Sequence, residues 1–352
     1  MALYGQVVYL PLLYQIEPNA IGRLPEYLEE KNLLFKRVLL VSGETYSFQM
    51  AQMILTTVED WVHVTIASHS MSEVDRLRSL IYQNPVSLLV GVGGGKVLDV
   101  VKRVSLLQRV NHLAVPTIIS NDGLISPISV LKNGEGRTES IAGQMPMGVV
   151  IDLDIVSQAP KKYLQAAAGD ILSNLSATFD WELASKHCNE PINDIALHMS
   201  VMSAHSAINF SHSSLASSEF LRQVIYGQFN SGIAMAVAGT SRPCSGSEHL
   251  ISHAIDYLKL SEETLHGLQV GAVSLFSLYL QGNLRTEHIA YARSLQIPLA
   301  FATLSPDIRT NLARIFEVAG RMRPGRYTVL DCYSTDELVR KYDDFEAFIE
   351  RY

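Results

Sequence analysis

The sequence predicts an N-terminal α/β domain on a mainly parallel sheet, followed by an all-α C-terminal domain. Three observations carry that reading. Short β-branched runs alternate with amphipathic stretches through the first half. A glycine-rich turn joins one of those runs to a helical pattern. After Pro160 strand-like runs largely vanish and long helical patterns take over. The boundary is placed near Ala159, giving domains 1–159 and 160–352.

The elements follow in order. MALYGQVVYLPLLYQ at the start is apolar without a basic leader, and reads as strand and loop rather than a signal peptide. RVLLVS (37–42), WVHVTIA (61–67), SLLVGV (87–92), HLAVP (112–116) and GVVIDL (148–153) are apolar enough for buried parallel strands. SEVDRLRSLIYQ (72–83) and KVLDVVKRVSLLQ (96–108) read as helices between them. Asn133-Gly134 between two extended runs predicts a β-hairpin within 126–143. Helices are then expected at 161–187, 193–209, 217–238, 247–259, 262–281, 285–295, 306–319 and 335–350. The apolar run LQVGAVSLFSLYLQG (268–282) is too short to span a bilayer and reads as a buried helix.

Composition narrows the function classes. A chain of 352 residues, 47% hydrophobic and 18% charged, is long enough for two cores and is not disordered in character. A net charge of −7 without a basic run argues against nucleic acid as partner. Cys188, Cys244 and Cys332 fit neither a zinc-finger spacing nor a disulfide framework, so a reducing, cytoplasmic setting is expected. No membrane insertion is expected; a homo-oligomer is.

Two constellations carry chemistry. In GVGGGKVLDVVK, consecutive glycines between a strand and a helix let backbone amides approach a pyrophosphate, and the helix N-terminus favours its charge. A tight turn alone would also want glycine, and the spacing is GGG rather than GxGxxG. In SEHLISHAID, His249 and His253 share one helical face, with His266 following in TLHG. Asp170 lies upstream in an otherwise apolar helix, where a carboxylate either binds a partner, reaches solvent or caps a neighbouring turn. Two neutral imidazoles and one carboxylate can hold a divalent metal and leave positions open. Asp122, in NDG, is by itself also compatible with a turn former.

Five blocks carry a family resemblance: GVGGGKVLDVVK (91–102), VPTIISNDGLISP (115–127), DLDIVSQAPKKYLQAAAGDILSN (152–174), SRPCSGSEHLISHAID (241–256) and LHG (265–267). In order and spacing they resemble the sn-glycerol-1-phosphate dehydrogenase family, within the iron-type alcohol dehydrogenase and dehydroquinate synthase superfamily. The resemblance runs from Arg37 to Gly271 and is weak beyond. It implies a dehydroquinate synthase-like fold with a Rossmann-like nucleotide site. Gly93, Gly94, Gly95, Lys96 and Val97 would hold the diphosphate of NAD or NADP, with Thr117, Ser120 and Ser126 on the nicotinamide side. Asp170, His249 and His266 would bind one divalent ion, usually zinc in the family. Asp122, Asp170 and His253 form the implied catalytic set, His253 and Asp122 as substrate contacts; His253 alternatively orients the metal ligands.

The implied reaction interconverts dihydroxyacetone phosphate and sn-glycerol 1-phosphate. Glu44, after the first of these strands, reads either as an acceptor for the adenosine ribose, favouring NAD, or as a solvated loop residue. One departure stands out: the family commonly has a histidine before the aspartate of NDG, and this chain has Asn121. Asn cannot carry a proton, which keeps glycerol or another polyol open as substrate. A dehydroquinate synthase-like cyclase and a non-catalytic relative are further alternatives. Arg242, with the helix start at Ser245, Gly246 and Ser247, is expected either to hold an anion or to form an interdomain salt bridge.

Overall fold

The computed structural model describes residues 8, 10–210, 217–261 and 264–352. The chain divides into two compact units, Met1–Pro160 and Lys161–Tyr352.

The first unit is built on β1 (Leu13–Glu17), β2 (Val38–Ser42), β3 (Val62–Thr65), β4 (Leu88–Gly93), β5 (His112–Pro116) and β8 (Gly148–Asp152), with β6 (Ile128–Lys132) and β7 (Thr138–Ala142) standing apart. The six strands form one sheet in the order β1-β8-β5-β4-β2-β3, and every pairing in it is parallel. β2, β4, β5 and β8 are buried along their whole length, as a sheet covered on both faces requires.

The period of two sorts their side chains. Val38, Leu40, Leu88, Val90, Leu113 and Val115 pack with Leu24 and Ile54, from α1 (Leu24–Glu30) and α2 (Tyr46–Leu55). The alternate residues Leu39, Val41 and Leu89 pack with Val74, Leu77, Val97 and Val101, from α3 (Met71–Gln83) and α4 (Gly95–Gln108). Each such aliphatic side chain, once buried, contributes about 1.5–3 kcal/mol.

β6 and β7 form the expected antiparallel hairpin. Its loop is longer than a two-residue Asn-Gly turn: Asn133 Oδ1 accepts from the amides of Glu135 and Arg137, and the left-handed position is Gly136 at φ +76°. The asparagine side chain takes the place of a backbone turn, and the positive φ falls two residues beyond Gly134.

A short α5 (Leu153–Ser157) closes this unit, and the second unit is helical: α6 (Lys161–Cys188), α7 (Asp194–Asn209), α8 (Ser218–Ala238), α9 (Ser247–Tyr257), α10 (His266–Leu280), α11 (Thr286–Ser294), α12 (Pro306–Thr310), α13 (Leu312–Ala319) and α14 (Thr335–Ile349). The helix expected over 306–319 is two, because Asn311 leaves helical geometry at φ −113°, ψ 15°. Its side chain donates to the Asp307 carbonyl at 2.8 Å, a local bond that competes with the helix. The helix expected from 262 begins at His266; residues 262 and 263 lie outside the described residues. Among the described residues no helix is long and apolar enough to cross a membrane.

Candidate metal centre and nucleotide site

The metal-ligand candidates meet because two helices cross at their backbones. A Cβ on Gly267 would lie 2.0 Å from the Ala166 carbonyl oxygen, and one on Gly169 would lie 2.3 Å from the Gly267 carbonyl oxygen. Only glycine permits that approach of α10 to α6. Asp170 follows Gly169 and His266 precedes Gly267, so the crossing brings the carboxylate to the imidazole.

His249 enters from the first turn of α9. Its Nε2 lies 4.0 Å from Asp170 Oδ1. One ligand atom from each of Asp170, His249 and His266 lies within 4.8 Å of the other two. Tetrahedral zinc at 2.0–2.1 Å would set its ligands ~3.4 Å apart, so small side-chain rotations close the set. The sequence reading grouped these three residues, and the structure brings them together.

Hydrogen bonds set the imidazole tautomers. His249 Nδ1 lies 2.9 Å from Glu248 Oε1; a carboxylate only accepts, so Nδ1 carries the proton and the Nε2 lone pair faces Asp170. The Ser252 hydroxyl donates to Gln269, leaving its oxygen to accept from His266 Nδ1 at 3.5 Å. That frees the His266 Nε2 lone pair. Burial, then the charges of His249 and Arg323, lowers His266 to a pKa of about 3, so it is neutral and ligand-ready at pH 7. The donor set therefore fits a divalent cation.

His253 stacks on His266 at 5.9 Å between ring centroids and stands outside the three-ligand group. Burial, reinforced by His266, His249, Arg323 and Arg326, holds it well below its ordinary pKa.

Beneath the histidines lie two fully buried carboxylates. Burial opposes ionisation of Glu248, yet hydrogen bonds from His249, Gly246 and Ser176 hold its carboxyl below the usual range. Burial and the Glu248 charge push Asp180 up to about 6. Sequence reading missed both, although Glu248 immediately precedes a candidate ligand.

These carboxylates correct the anion-site expectation for the start of α9. The Gly246 amide donates to Glu248 and the Ser247 amide to Asp180 at 2.6 Å, so the helix start is filled from within the protein. Arg242 is 2% exposed. It binds both Glu190 carboxylate oxygens and donates to the Tyr327 carbonyl at 2.8 Å. It is a structural ion pair, and both partners belong to the second unit.

In the first unit, the glycine turn lies at the carboxyl end of β4, and Gly93 pairs in register with Pro116 of β5. The Thr117 amide donates to the Gly93 carbonyl at 3.1 Å, which seats buried Thr117 beside the turn. A Cβ on Gly93 would meet Val97 Cγ2 at 2.7 Å and one on Gly94 would meet Ile118 at 2.8 Å, whereas Gly95 has nothing within 4 Å. The first two glycines serve packing; the third leaves open space at the first turn of α4, where amides lack helical acceptors.

Lys96 is exposed and Val97 buried. β2 leads outward to β3 while β4 leads the other way to β5, so the β2–β4 boundary is a topological switch point, where such sheets bind ligands. Exposed Glu44 follows β2 there.

Asp122 opens a 3₁₀ turn, Asp122–Leu124, and its carbonyl accepts from Ser126 N at 2.9 Å. Ser126 is buried and Ser120 half-buried. Asn121 Oδ1 caps that turn by accepting from Gly123 N at 3.0 Å.

Comparison with known proteins shows the family. The family model described as iron-containing alcohol dehydrogenase matches residues 15–160. A glycerol-1-phosphate dehydrogenase [NAD(P)+] of Pyrococcus horikoshii is 36% identical over 273 residues, 76% of this chain and 77% of that one. Its counterpart from Metallosphaera sedula is 31% identical over 94% of both chains. The crystal structure of a probable glycerol dehydrogenase from Sinorhizobium meliloti shares the fold, with a TM-score of 0.77, 22% identity, and coverage of 97% of this chain and 98% of that one. With relatives 31–36% identical over most of the chain and the family model in agreement, this chain belongs to the glycerol-1-phosphate dehydrogenase family of iron-type alcohol dehydrogenases.

Proposed function

We propose that this protein is a metal-dependent, NAD(P)-linked dehydrogenase that interconverts dihydroxyacetone phosphate and sn-glycerol 1-phosphate. The observation that carries the reading is the Asp170, His249 and His266 cluster, with both imidazole lone pairs directed by hydrogen bonds. These three residues would hold the ion, with zinc as the proposed metal.

When bound, the metal supplies Lewis acidity at the substrate oxygen and the nicotinamide supplies or accepts the hydride. The protein's own residues bind and orient. Glu248 holds the His249 ring, and Ser252 holds His266. His253, kept neutral by its surroundings, offers the substrate hydroxyl a hydrogen bond without adding charge beside the metal. Asp122 is the proposed second substrate contact.

In the nucleotide-binding domain, 1–159, the diphosphate would lie over Gly95 and Lys96, with Gly93, Gly94 and Val97 shaping the turn. Thr117, Ser120 and Ser126 would line the nicotinamide side. Glu44 disfavours a 2′-phosphate, so NAD is the proposed cofactor over NADP. Domain 160–352 would bind metal and substrate. The reading is completed by a cytoplasmic homo-oligomer.

NADH oxidation with dihydroxyacetone phosphate tests this, before and after chelation and after Zn²⁺ is restored. Activity lost on chelation, regained with Zn²⁺, and yielding sn-glycerol 1-phosphate is expected. Turnover of dihydroxyacetone or glycerol alone would move the assignment to a polyol dehydrogenase, the reading that Asn121 keeps open. Net consumption of NADH excludes a cyclase.

A further inference from the structure

Two arginines outside the family-like blocks stand beside the histidine cluster. Arg323-Pro324-Gly325-Arg326 is a four-residue turn closed by the Arg326 amide on the Arg323 carbonyl at 3.1 Å. Gly325 has φ +83°. Proline at the second position and a positive-φ glycine at the third are the marks of a type II turn, which projects the first and fourth side chains together. Both arginines reach the same atom: Arg323 Nη1 donates to Ser241 Oγ at 2.8 Å and Arg326 Nη2 donates to it at 3.0 Å. Arg326 also donates to the Ser245 carbonyl.

No carboxylate pairs with these two at close range among the described residues; buried Glu248 acts on both, and Glu190 on Arg326, only from beyond ion-pair distance. By contrast, Arg242 close by has Glu190 within ion-pair distance. Both are half-buried, and burial together with Arg323 and Arg242 pushes Arg326 down to about 9. Juxtaposed guanidinium groups, partly withdrawn from water and without a carboxylate in direct contact, favour an anion that joins them. Ser245 is 5% exposed, and its hydroxyl has no hydrogen-bond partner among the described residues.

The field of the pair reaches the candidate centre, since Arg323 and Arg326 both act on His253 and Arg323 acts on His266. That proximity suits a triose phosphate, in which only one carbon and one ester oxygen separate the reacting carbon from phosphorus.

We infer that Arg323 and Arg326, with the Ser245 hydroxyl, form the binding site for the substrate's phosphate group. The inference rests on the dehydrogenase reading and deepens it. Guanidinium forks match the phosphate dianion, each donating along parallel N–H bonds.

The test uses the metal-loaded holoenzyme with R323Q and R323K. Steady-state kinetics are measured with dihydroxyacetone phosphate, with dihydroxyacetone, and with NADH against NADPH. For R323Q the KM for the phosphorylated ketone is expected to rise about 10–100-fold, and inhibition by inorganic phosphate to weaken in parallel. The preference for phosphorylated over unphosphorylated ketone then collapses. R323K, which keeps the charge but loses the fork, falls between.

An unchanged KM in both variants overturns the inference, as does an equal shift for the two ketones. A shift confined to NADPH overturns it in favour of a cofactor phosphate. If the wild type consumes no NADH with the phosphorylated ketone, the dehydrogenase reading falls separately. Calorimetric titration of inorganic phosphate then judges the pair: binding to wild type that is lost in R323Q supports it, and no binding to wild type overturns it.

Discussion

Replacing Gly267 with alanine tests the idea that a backbone-to-backbone helix crossing builds the proposed metal centre. The added Cβ would lie 2.0 Å from the Ala166 carbonyl oxygen and 2.6 Å from its carbon. An ordinary carbon–oxygen contact needs about 3.3 Å, so α6 and α10 must part by roughly 1.3 Å. Neither neighbour is a flexible side-chain end that can swing aside. Overpacking of this kind costs about 1–3 kcal/mol, and a unit of this size loses about 2–4 °C per kcal/mol. The melting temperature should therefore fall by about 2–12 °C.

Displacement matters more than stability here. Asp170 and His266 are each bonded in sequence to a glycine of the crossing, so they separate with the helices. Metal sites tolerate about 0.5 Å of misplacement, and an affinity loss of at least about 10–100-fold is expected, the range for disturbed ligand support. Thermal melting of the metal-free protein and calorimetric titration with Zn²⁺ read the two effects. A melting temperature within about one degree of wild type, together with unchanged zinc affinity, would refute the argument.

Three further outcomes follow from the geometry. Gly95→Ala adds a Cβ with nothing within 4 Å, so thermal stability should hold while NADH affinity, measured by fluorescence, drops about tenfold or more if a diphosphate occupies that space. Glu248→Gln leaves the carboxamide unable to serve His249, Gly246 and Ser176 as the carboxylate does; zinc affinity should fall about 10–100-fold by titration. Asp180 has a folded pKa near 6 against an ordinary 3.8, so the native state holds a proton that the unfolded chain has released between those values. Its contribution is most favourable below pH 4 and is lost as pH rises through 6. Denaturant melts should show wild type losing about 1.4 kcal/mol per pH unit relative to Asp180→Asn across that window, and no change in the difference from pH 7 to 8.

Most of the architecture was legible because it is locally encoded. The apolar runs at 37–42, 87–92, 112–116 and 148–153 can bury both faces only as central parallel strands, and they do. The pattern at 306–319 misled because helical periodicity survives a single break, while the Asn311 side chain, which makes that break, leaves no mark on periodicity. The hairpin that Asn133-Gly134 announced is present, while its loop length was not legible, because the Asn133 side-chain bonds place the left-handed position at Gly136. The motif Arg-Pro-Gly-Arg at 323–326 was readable as a type II turn, yet nothing local says that its arginines lack carboxylate partners.

Sequence alone determined the elements and the glycine turn, since periodicity and turn chemistry are properties of neighbours along the chain, and the family-like blocks singled out Asp170, His249 and His266 as candidate donors. Only the tertiary structure decided that Asp180 and Glu248 fill the start of α9, that Arg242 is consumed by Glu190, and that Arg323 and Arg326, with no carboxylate in ion-pair contact among the described residues, act on His253. The reason is physical. Which charge meets which counter-charge depends on residues far apart in sequence, as Ser247 and Asp180 or Arg242 and Glu190 are, and is fixed only when the helices that carry them pack.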